Sequence, residues 1–299
     1  MLPFNEFYKE ELELDGLQYE EYLSEQYEVL LEKLITFGGQ AYPKFGNIVI
    51  MAGGAGSGKG FIKDKLVGIE GRVFDVDELK TLASKTPIIQ KRVKAEFGVE
   101  LDKLAANLKD PENVAKLHEI IGDALDLPDR RMQAFYKSIL VGSDERKPNI
   151  IFDVTLKDLR KLQNITRQVG SIGYQKENIH IVWVVNDIEV AKAQNLKRAR
   201  TVPTEILVNT HRGASNTMQD ILNLGKGLSK YMNGDIVFAF NKVGVDSDVV
   251  KSGSGGMYVK DANYFYAKRK GKAPIPVKDL DTDLKRKIKS YVPKDVNWD

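Results

Sequence analysis

Residues 47–66 read NIVIMAGGAGSGKGFIKDKL, and the fold prediction starts from this segment. A short apolar run rich in β-branched residues leads into a glycine-rich turn, and a sequence that favours a helix follows. The turn matches the pattern Gly-x-x-x-x-Gly-Lys-[Ser/Thr] at Gly53, Gly58 and Lys59, but position 60 is glycine where the pattern has a hydroxyl. A strand, this loop and a helix, in that order, predict a phosphate-binding loop.

The loop has a definite chemistry. Its glycines let backbone N–H groups converge on the α- and β-phosphates, the start of the helix adds partial positive charge, and Lys59 bridges the β- and γ-phosphates. We predict that these residues bind ATP: Gly53, Gly54, Ala55, Gly56, Ser57, Gly58, Lys59 and Gly60. Because Gly60 lacks the hydroxyl that normally reaches a nucleotide-bound Mg²⁺, two interpretations stay open, a working kinase and a nucleotide binder without chemistry.

Five short apolar runs without clean alternation predict strands that are buried on both faces. They are NIVIMA (47–52), RVFDV (72–76), NIIFDV (149–154), NIHIVWVV (178–185) and DIVFAF (235–240). Helical stretches are predicted at 87–107, 111–126, 128–141, 156–169, 187–199 and 204–230. The alternation indicates an α/β fold, in which helices cover both faces of a parallel sheet and ligands bind at the carboxyl ends of the strands.

Composition and patterning divide the chain into three parts. An amphipathic helix is predicted at 17–35 within an N-terminal segment, 1–45, that packs on a core domain, 46–241. A C-terminal α+β extension, 242–299, follows. The chain has no cysteine, and its acidic N-terminus and short apolar runs match neither a signal peptide nor a membrane span, so we expect a cytoplasmic protein.

Acidic residues follow two of the predicted strands. Asp75 and Asp77 end the second run, where one carboxylate could activate an acceptor hydroxyl and the other could hold Mg²⁺. Asp153 lies near the end of the third run, with Thr155 in the loop that follows, and is a second candidate Mg²⁺ ligand. Asp77 and Asp153 could instead be N-caps of the helices that follow them.

A basic segment follows the fourth strand and its helix. Arg198 and Arg200 lie before Pro203, in a connection that could close over the phosphates and neutralise the transferring group, with Lys197 and Arg212 as further candidates. Alternatively, these cations mark the solvated end of a helix.

Together, the loop and the segments VFDVDELK (73–80), IIFDVTLKD (150–158) and KRARTVP (197–203) resemble the P-loop kinase group. That group contains phage polynucleotide kinases, zeta-toxin kinases and phage kinases of hydroxymethyl-pyrimidine DNA, and the likeness covers about residues 46–215. It implies a P-loop kinase-type fold, with Asp77 as general base, Lys80 binding substrate phosphate, Lys59 as the loop lysine and Arg198 as the lid arginine. Gly60 departs from the family pattern, but Mg²⁺ is commonly bound through one or two carboxylates plus substrate phosphates.

Charge is distributed unevenly along the chain. Residues 1–36 contain ten acidic residues against two lysines, whereas residues 251–299 contain twelve Lys or Arg against six Asp. In the basic part, four aromatic and five cationic residues are interleaved: Tyr258, Tyr264, Phe265, Tyr266, Lys260, Lys268, Arg269, Lys270 and Lys272. This mixture suits DNA binding through base stacking and phosphate contacts, with Tyr264, Tyr266, Lys268 and Arg269 as candidate contacts, although the aromatics could equally be packing residues.

Three functions are compatible with these features. The first is an ATP- and Mg²⁺-dependent phosphotransferase that phosphorylates a hydroxyl on DNA, for which a hydroxymethylated pyrimidine base is one candidate. The second is a zeta-toxin-like kinase of a sugar nucleotide. The third is a nucleotide-binding pseudo-kinase that acts as a scaffold, a reading supported by Gly60.

Overall fold

The computed structural model describes residues 36–37, 40–41, 45–65, 67, 69–140, 147–198, 201–242, 244–251 and 257–299. The amphipathic helix predicted at 17–35 lies outside these residues. The strands are β1 (Thr36–Phe37), β2 (Gln40–Ala41), β3 (Ile48–Ala52), β4 (Arg72–Asp75), β5 (Ile150–Asp153), β6 (Ile179–Val185), β7 (Ile236–Phe240), β8 (Ser247–Lys251) and β9 (Met257–Lys268).

The main sheet has seven strands in the order β4-β5-β3-β6-β7-β9-β8. The first five are parallel and are the five strands predicted from apolar runs, while β9 and β8 add an antiparallel edge. Strands β3, β6 and β7 are buried along their whole length, as runs without alternation predict. The predicted α/β fold with a parallel sheet is confirmed.

The helices are α1 (Lys59–Lys65), α2 (Val76–Lys85), α3 (Pro87–Phe97), α4 (Leu101–Ala106), α5 (Pro111–His118), α6 (Leu127–Leu140), α7 (Leu159–Ser171), α8 (Ile188–Lys197), α9 (Thr204–Asn223) and α10 (Thr282–Tyr291). The single helix predicted at 87–107 is divided into α3 and α4, because Gly98 adopts a left-handed φ of 67° and ends α3. Similarly, the stretch predicted at 111–126 is α5 followed by a π-helical segment, Glu119–Ala124.

Apolar side chains fill both sides of the sheet. One face packs against α7, α9 and the C-terminal segment, and the opposite face packs against α1 through Ile62. Residues 76–140 form a helical insertion between β4 and β5 that has its own apolar cluster, which includes Val93, Leu101 and Leu117. The last helix of the insertion, α6, instead joins the main core through Met132, Tyr136 and Ile139.

The C-terminal segment completes this core. Trp298 is fully buried, its ring stacks on Trp183 with 5.4 Å between centroids, and its Nε1 donates to Ser215 Oγ at 2.8 Å. Arg212 forms an ion pair with Asp295 on the same side. Through these contacts the C-terminal residues pack against α9 and β6. Among the described residues, no helix combines the length and apolar character that a membrane crossing requires.

Candidate active site

Polar residues line one edge of the sheet, where the five parallel strands end. Asp75 and Asp153 end β4 and β5 and are register partners, and the glycine-rich loop follows β3. Asn186 comes directly after β6, and Asn241 directly after β7. Since parallel strands end at the same edge, residues far apart in the sequence surround one loop.

Each loop carbonyl from Gly53 to Gly58 lies within 3.5 Å of a nitrogen donor. Lys59 Nζ donates to Gly53 O at 3.1 Å and lies 3.5 Å from Gly54 O. His211 Nε2 lies 2.8 Å from Ala55 O, and Asn186 Nδ2 lies 3.5 Å from Gly56 O. Asn241 Nδ2 donates to Ser57 O at 2.9 Å, and Gly58 O accepts the N–H of Ile62 at the start of α1.

The backbone N–H groups of the same loop are differently placed. Those of Gly53, Ala55 and Ser57 donate to Thr155 O, Thr210 Oγ1 and Gly54 O, respectively. Within the described parts of the chain, the N–H groups of Gly54, Gly56, Gly58, Lys59 and Gly60 make no hydrogen bond. Carbonyls that are already in contact with donors and five unused N–H groups form a cradle for an anion such as a phosphate.

Steric limits explain three of the glycines. A Cβ at Gly54 would lie 2.1 Å from the His211 ring, one at Gly56 would lie 2.8 Å from Ala191 O, and one at Gly58 would lie 2.1 Å from Asn241 Nδ2. Gly56 and Gly58 also have φ values of 74° and 87°, which favour glycine. Gly60 differs from them, because a Cβ there would meet nothing within 4 Å.

Lys59 connects the loop to the acidic strand ends. Besides its loop carbonyl contacts, its Nζ lies 3.5 Å from Asp153 Oδ1, and its side chain is largely buried. The ammonium is thus held at the cradle, where it can neutralise phosphate oxygens.

Asp153 is not a helix cap. Helix α7 begins at Leu159, and its N-cap is Asp158, whose carboxylate accepts the N–H of Arg160 at 2.7 Å. The N-cap interpretation of Asp153 is therefore wrong, and its carboxylate faces Lys59 instead.

The prediction of Mg²⁺ ligation by Asp75 and Asp153 remains a prediction. Across the residues that the structure describes, no group of three or more His, Cys, Asp or Glu side chains is placed to hold a metal ion. Two carboxylates at neighbouring strand ends nevertheless suit Mg²⁺, which prefers hard oxygen ligands and takes the remainder from phosphates and water.

Two further predicted residues lie on α2. The helix begins at Val76, so Asp77 is its second residue rather than its N-cap. Lys80, the predicted phosphate-binding residue, is only 3% exposed. Its contact with a substrate phosphate stays a prediction.

The predicted lid connects α8 and α9. Arg198 follows α8 and is exposed, as is Lys197, whereas Arg200 lies outside the described residues. Thr201 ties this connection to the helical insertion, since its N–H donates to Leu108 O at 3.1 Å and its Oγ1 donates to Lys109 O at 2.7 Å. Arg212 lies on α9 and pairs with Asp295, so it is not part of the lid.

The predicted DNA contacts on β9 divide into two groups. Tyr264 and Tyr266 form an edge-to-face pair with centroids 5.8 Å apart, and the Arg269 guanidinium lies 3.3 Å from the Tyr266 ring centroid. Lys268, in contrast, is 2% exposed, and its Nζ donates to Gly234 O at 2.8 Å and to Asn233 O at 3.1 Å.

Lys268 therefore does not supply the surface charge that the sequence suggested, because the fold uses its ammonium internally. It pairs in register with Ile236 at the start of β7, whereas Asn263 pairs with Phe240 at its end. The basic run that starts at Lys268 thus lies about 13 Å from the loop edge, the length of β7.

Four contacts of the loop were not predicted: Thr210, His211, Asn186 and Asn241. Burial lowers the pKa of His211 to about 4, so its imidazole is neutral, and contact with a carbonyl places the proton on Nε2. The one available sequence signal was the single asparagine that directly follows each of the apolar runs ending at Val185 and Phe240. For the two α9 residues the sequence carried no such signal.

Comparison with known proteins gives distant similarities. No protein-family model and no curated protein sequence matches the chain. A chain of the AvrRxo1-ORF1:-ORF2 structure with ATP is similar, with a TM-score of 0.41 and 12% identity over 84% of this chain. A structure from the PezAT chromosomal toxin-antitoxin system of Streptococcus pneumoniae has a TM-score of 0.35 and 14% identity over 75% of this chain. The chain spans 65% of the AvrRxo1 chain and 76% of the PezAT chain.

Proposed function

We propose that this protein is a nucleoside-triphosphate-dependent phosphotransferase whose acceptor is an alcohol group. The observation that carries the proposal is the loop itself, in which His211 and Asn241 hold the carbonyls of Ala55 and Ser57 while five N–H groups stay unused beside Lys59. A flexible glycine turn without a binding role would not require these contacts, which come from α9 and from the residues that follow β6 and β7.

Each group of residues has a role in this proposal. The loop N–H groups and Lys59 bind and orient the triphosphate, which places the γ-phosphoryl group beside the ends of β4 and β5. Asp77, at the start of α2, accepts the proton of the attacking hydroxyl. Arg198 and Arg200 neutralise charge on the transferring group as the lid closes, and Lys80 contacts the acceptor.

Mg²⁺ fits the site through carboxylate oxygens. Asp75 and Asp153 would hold it, and when bound it would supply charge neutralisation on the β- and γ-phosphate oxygens. Its remaining ligands would be phosphate oxygens and water, since position 60 offers no hydroxyl.

For the acceptor we propose a hydroxyl on DNA, which includes the hydroxymethyl group of a modified pyrimidine. The support is the row formed by Tyr264, Tyr266 and Arg269, in which Tyr264 is 39% exposed and Arg269 is exposed. Aromatic rings next to a guanidinium suit stacking on bases together with phosphate contact. Lys268 has no part in this proposal.

Transfer of labelled γ-phosphate tests both parts. ATP with Mg²⁺ would be offered together with DNA bearing 5′-hydroxyl ends, DNA containing hydroxymethyluracil, and a UDP-sugar, and Lys59→Ala would be the inactive control. Label on either DNA supports the full proposal, and label only on the sugar nucleotide keeps the phosphotransferase but refutes the DNA acceptor. Binding of ATP without transfer to any acceptor in the panel would favour the pseudo-kinase scaffold.

A further inference from the structure

Side chains from distant elements hold two loop carbonyls at short distances, Ala55 O at 2.8 Å and Ser57 O at 2.9 Å. We infer that His211 and Asn241 are positioning residues, which fix the loop peptides so that the N–H groups of Gly56 and Gly58 face the phosphates. This inference rests on the proposed nucleotide-binding function and adds two residues to its machinery.

Peptide geometry links each side chain to one N–H group. In a planar trans peptide the C=O of one residue and the N–H of the next point in opposite directions. His211 holds Ala55 O at 2.8 Å, so the N–H of Gly56 points to the other side. Likewise, Asn241 holds Ser57 O at 2.9 Å, so the N–H of Gly58 points to the other side. Both N–H groups belong to the five of the loop that make no hydrogen bond within the described chain.

Glycine makes this support necessary. Gly56 and Gly58 have positive φ values, and a glycine gains more freedom than other residues when its neighbours do not restrain it. Rotation of either preceding peptide would replace an N–H donor with a carbonyl oxygen facing a phosphate, which is repulsive. A side chain that holds the carbonyl from behind opposes this rotation before the nucleotide arrives, and preorganisation of this kind increases affinity.

Both positioning groups are themselves fixed. His211 is 6% exposed within α9, and its ring lies against Gly54, where a Cβ would not fit. Asn241 is 3% exposed, and its own N–H donates to Val185 O at 2.9 Å. Asn186, whose Nδ2 is 3.5 Å from Gly56 O, makes a weaker contact and is not required.

The test measures MgATP affinity by calorimetry alongside the thermal unfolding midpoint, with no acceptor present. His211→Phe keeps a ring but removes the donor, and Asn241→Asp keeps the shape but removes the donor. We expect MgATP affinity to fall about tenfold in each folded variant, which corresponds to one lost hydrogen-bond constraint. His211→Gln, which returns an N–H near the Nε2 position, should retain affinity within about threefold of wild type.

Asn149→Ala is the matched control. Asn149 is also a buried asparagine with backbone contacts, to Asn47 N at 2.8 Å and Glu70 O at 3.0 Å, but it lies at the opposite end of the sheet. The substitution Asn149→Ala should lower the unfolding midpoint and leave MgATP affinity unchanged.

The outcomes separate this inference from the proposed function. Wild-type affinity in folded His211→Phe and Asn241→Asp would overturn the positioning roles. Equal losses of affinity in His211→Phe and His211→Gln would also overturn the role of the His211 donor, and this comparison still decides if Asn241→Asp does not fold. Absence of MgATP binding by the wild-type protein would instead refute the proposed function.

Discussion

Gly60 offers a direct test of how the site holds Mg²⁺. It is the second residue of α1, it is exposed, and a Cβ there meets nothing within 4 Å. A serine at this position can therefore be accepted without rearrangement and would add the hydroxyl that the phosphate-loop pattern normally carries. Gly60→Ala is the matched control, because it adds the Cβ without the hydroxyl.

The two variants separate stability from metal binding. Removing a glycine from an exposed helical position should stabilise the fold, by up to about 1 kcal/mol for Gly60→Ala and by less for Gly60→Ser. For a chain of this size that corresponds to an increase of about 1–3 °C in the unfolding midpoint. Only Gly60→Ser should change the Mg²⁺ dependence of nucleotide binding, with a half-saturating Mg²⁺ concentration about fivefold lower, or about 1 kcal/mol.

The assay is a Mg²⁺ titration of ATP binding at fixed ATP, with a thermal melt of each variant. If the unfolding midpoint of Gly60→Ala fell by several degrees, the claim that a Cβ at this position meets no other atom would be refuted. Identical Mg²⁺ curves for Gly60→Ser and Gly60→Ala would refute the argument that the metal lies within reach of this residue.

Four other predictions address the loop, the base and the core. Lys59→Met should lower MgATP affinity at least about tenfold in calorimetry, since one ammonium at the triphosphate is lost. Asp77→Asn should abolish γ-phosphate transfer with ATP affinity nearly unchanged. Because burial lowers the pKa of His211 to about 4, from an ordinary 6.5, the unfolded state binds the proton more tightly. The contribution of neutral His211 to the free energy of unfolding should then be fully present above pH 6.5 and be lost as the pH falls towards 4. Over this range the wild type should lose about 3 kcal/mol more stability than His211→Gln. Trp298→Ala should cost about 3–5 kcal/mol in urea unfolding, because it removes a stacked core ring and the partner of Ser215.

Each of these has a result that would contradict it. Unchanged MgATP affinity in Lys59→Met would show that Lys59 does not contact the triphosphate. Phosphate transfer by Asp77→Asn would show that Asp77 is not the general base. Parallel pH profiles for wild type and His211→Gln would mean that His211 is not desolvated in solution. A Trp298→Ala protein within about 1 kcal/mol of wild type would contradict the packing of this residue in the core.

Local sequence patterns predicted much of the fold. The five apolar runs became the five parallel strands, and the loop between β3 and α1 was predicted at the position it occupies. Predictions that depended on helix ends were less accurate, because a cap depends on one residue. The helix after Asp153 begins only at Leu159 and is capped by Asp158.

The predictions that failed or were missing concern burial and long-range contact. A lysine in a basic, aromatic segment resembles a surface residue, but Lys268 ends β9 beside the start of β7, and its ammonium is buried among carbonyl oxygens. The sequence also could not show that Asp75 and Asp153 are register partners, because the amino-acid composition of a strand does not reveal which strand lies next to it.

Local sequence was enough to predict the parallel α/β class, the glycine-rich loop, its lysine and the acidic strand ends, because each depends on neighbouring residues along the chain. Only the tertiary structure decided which side chains hold the loop. His211 is 156 residues from Ala55, and Asn241 is 184 residues from Ser57. These contacts form because a parallel sheet brings all its strand ends to one edge, and α9 packs beside that edge to bury its apolar face.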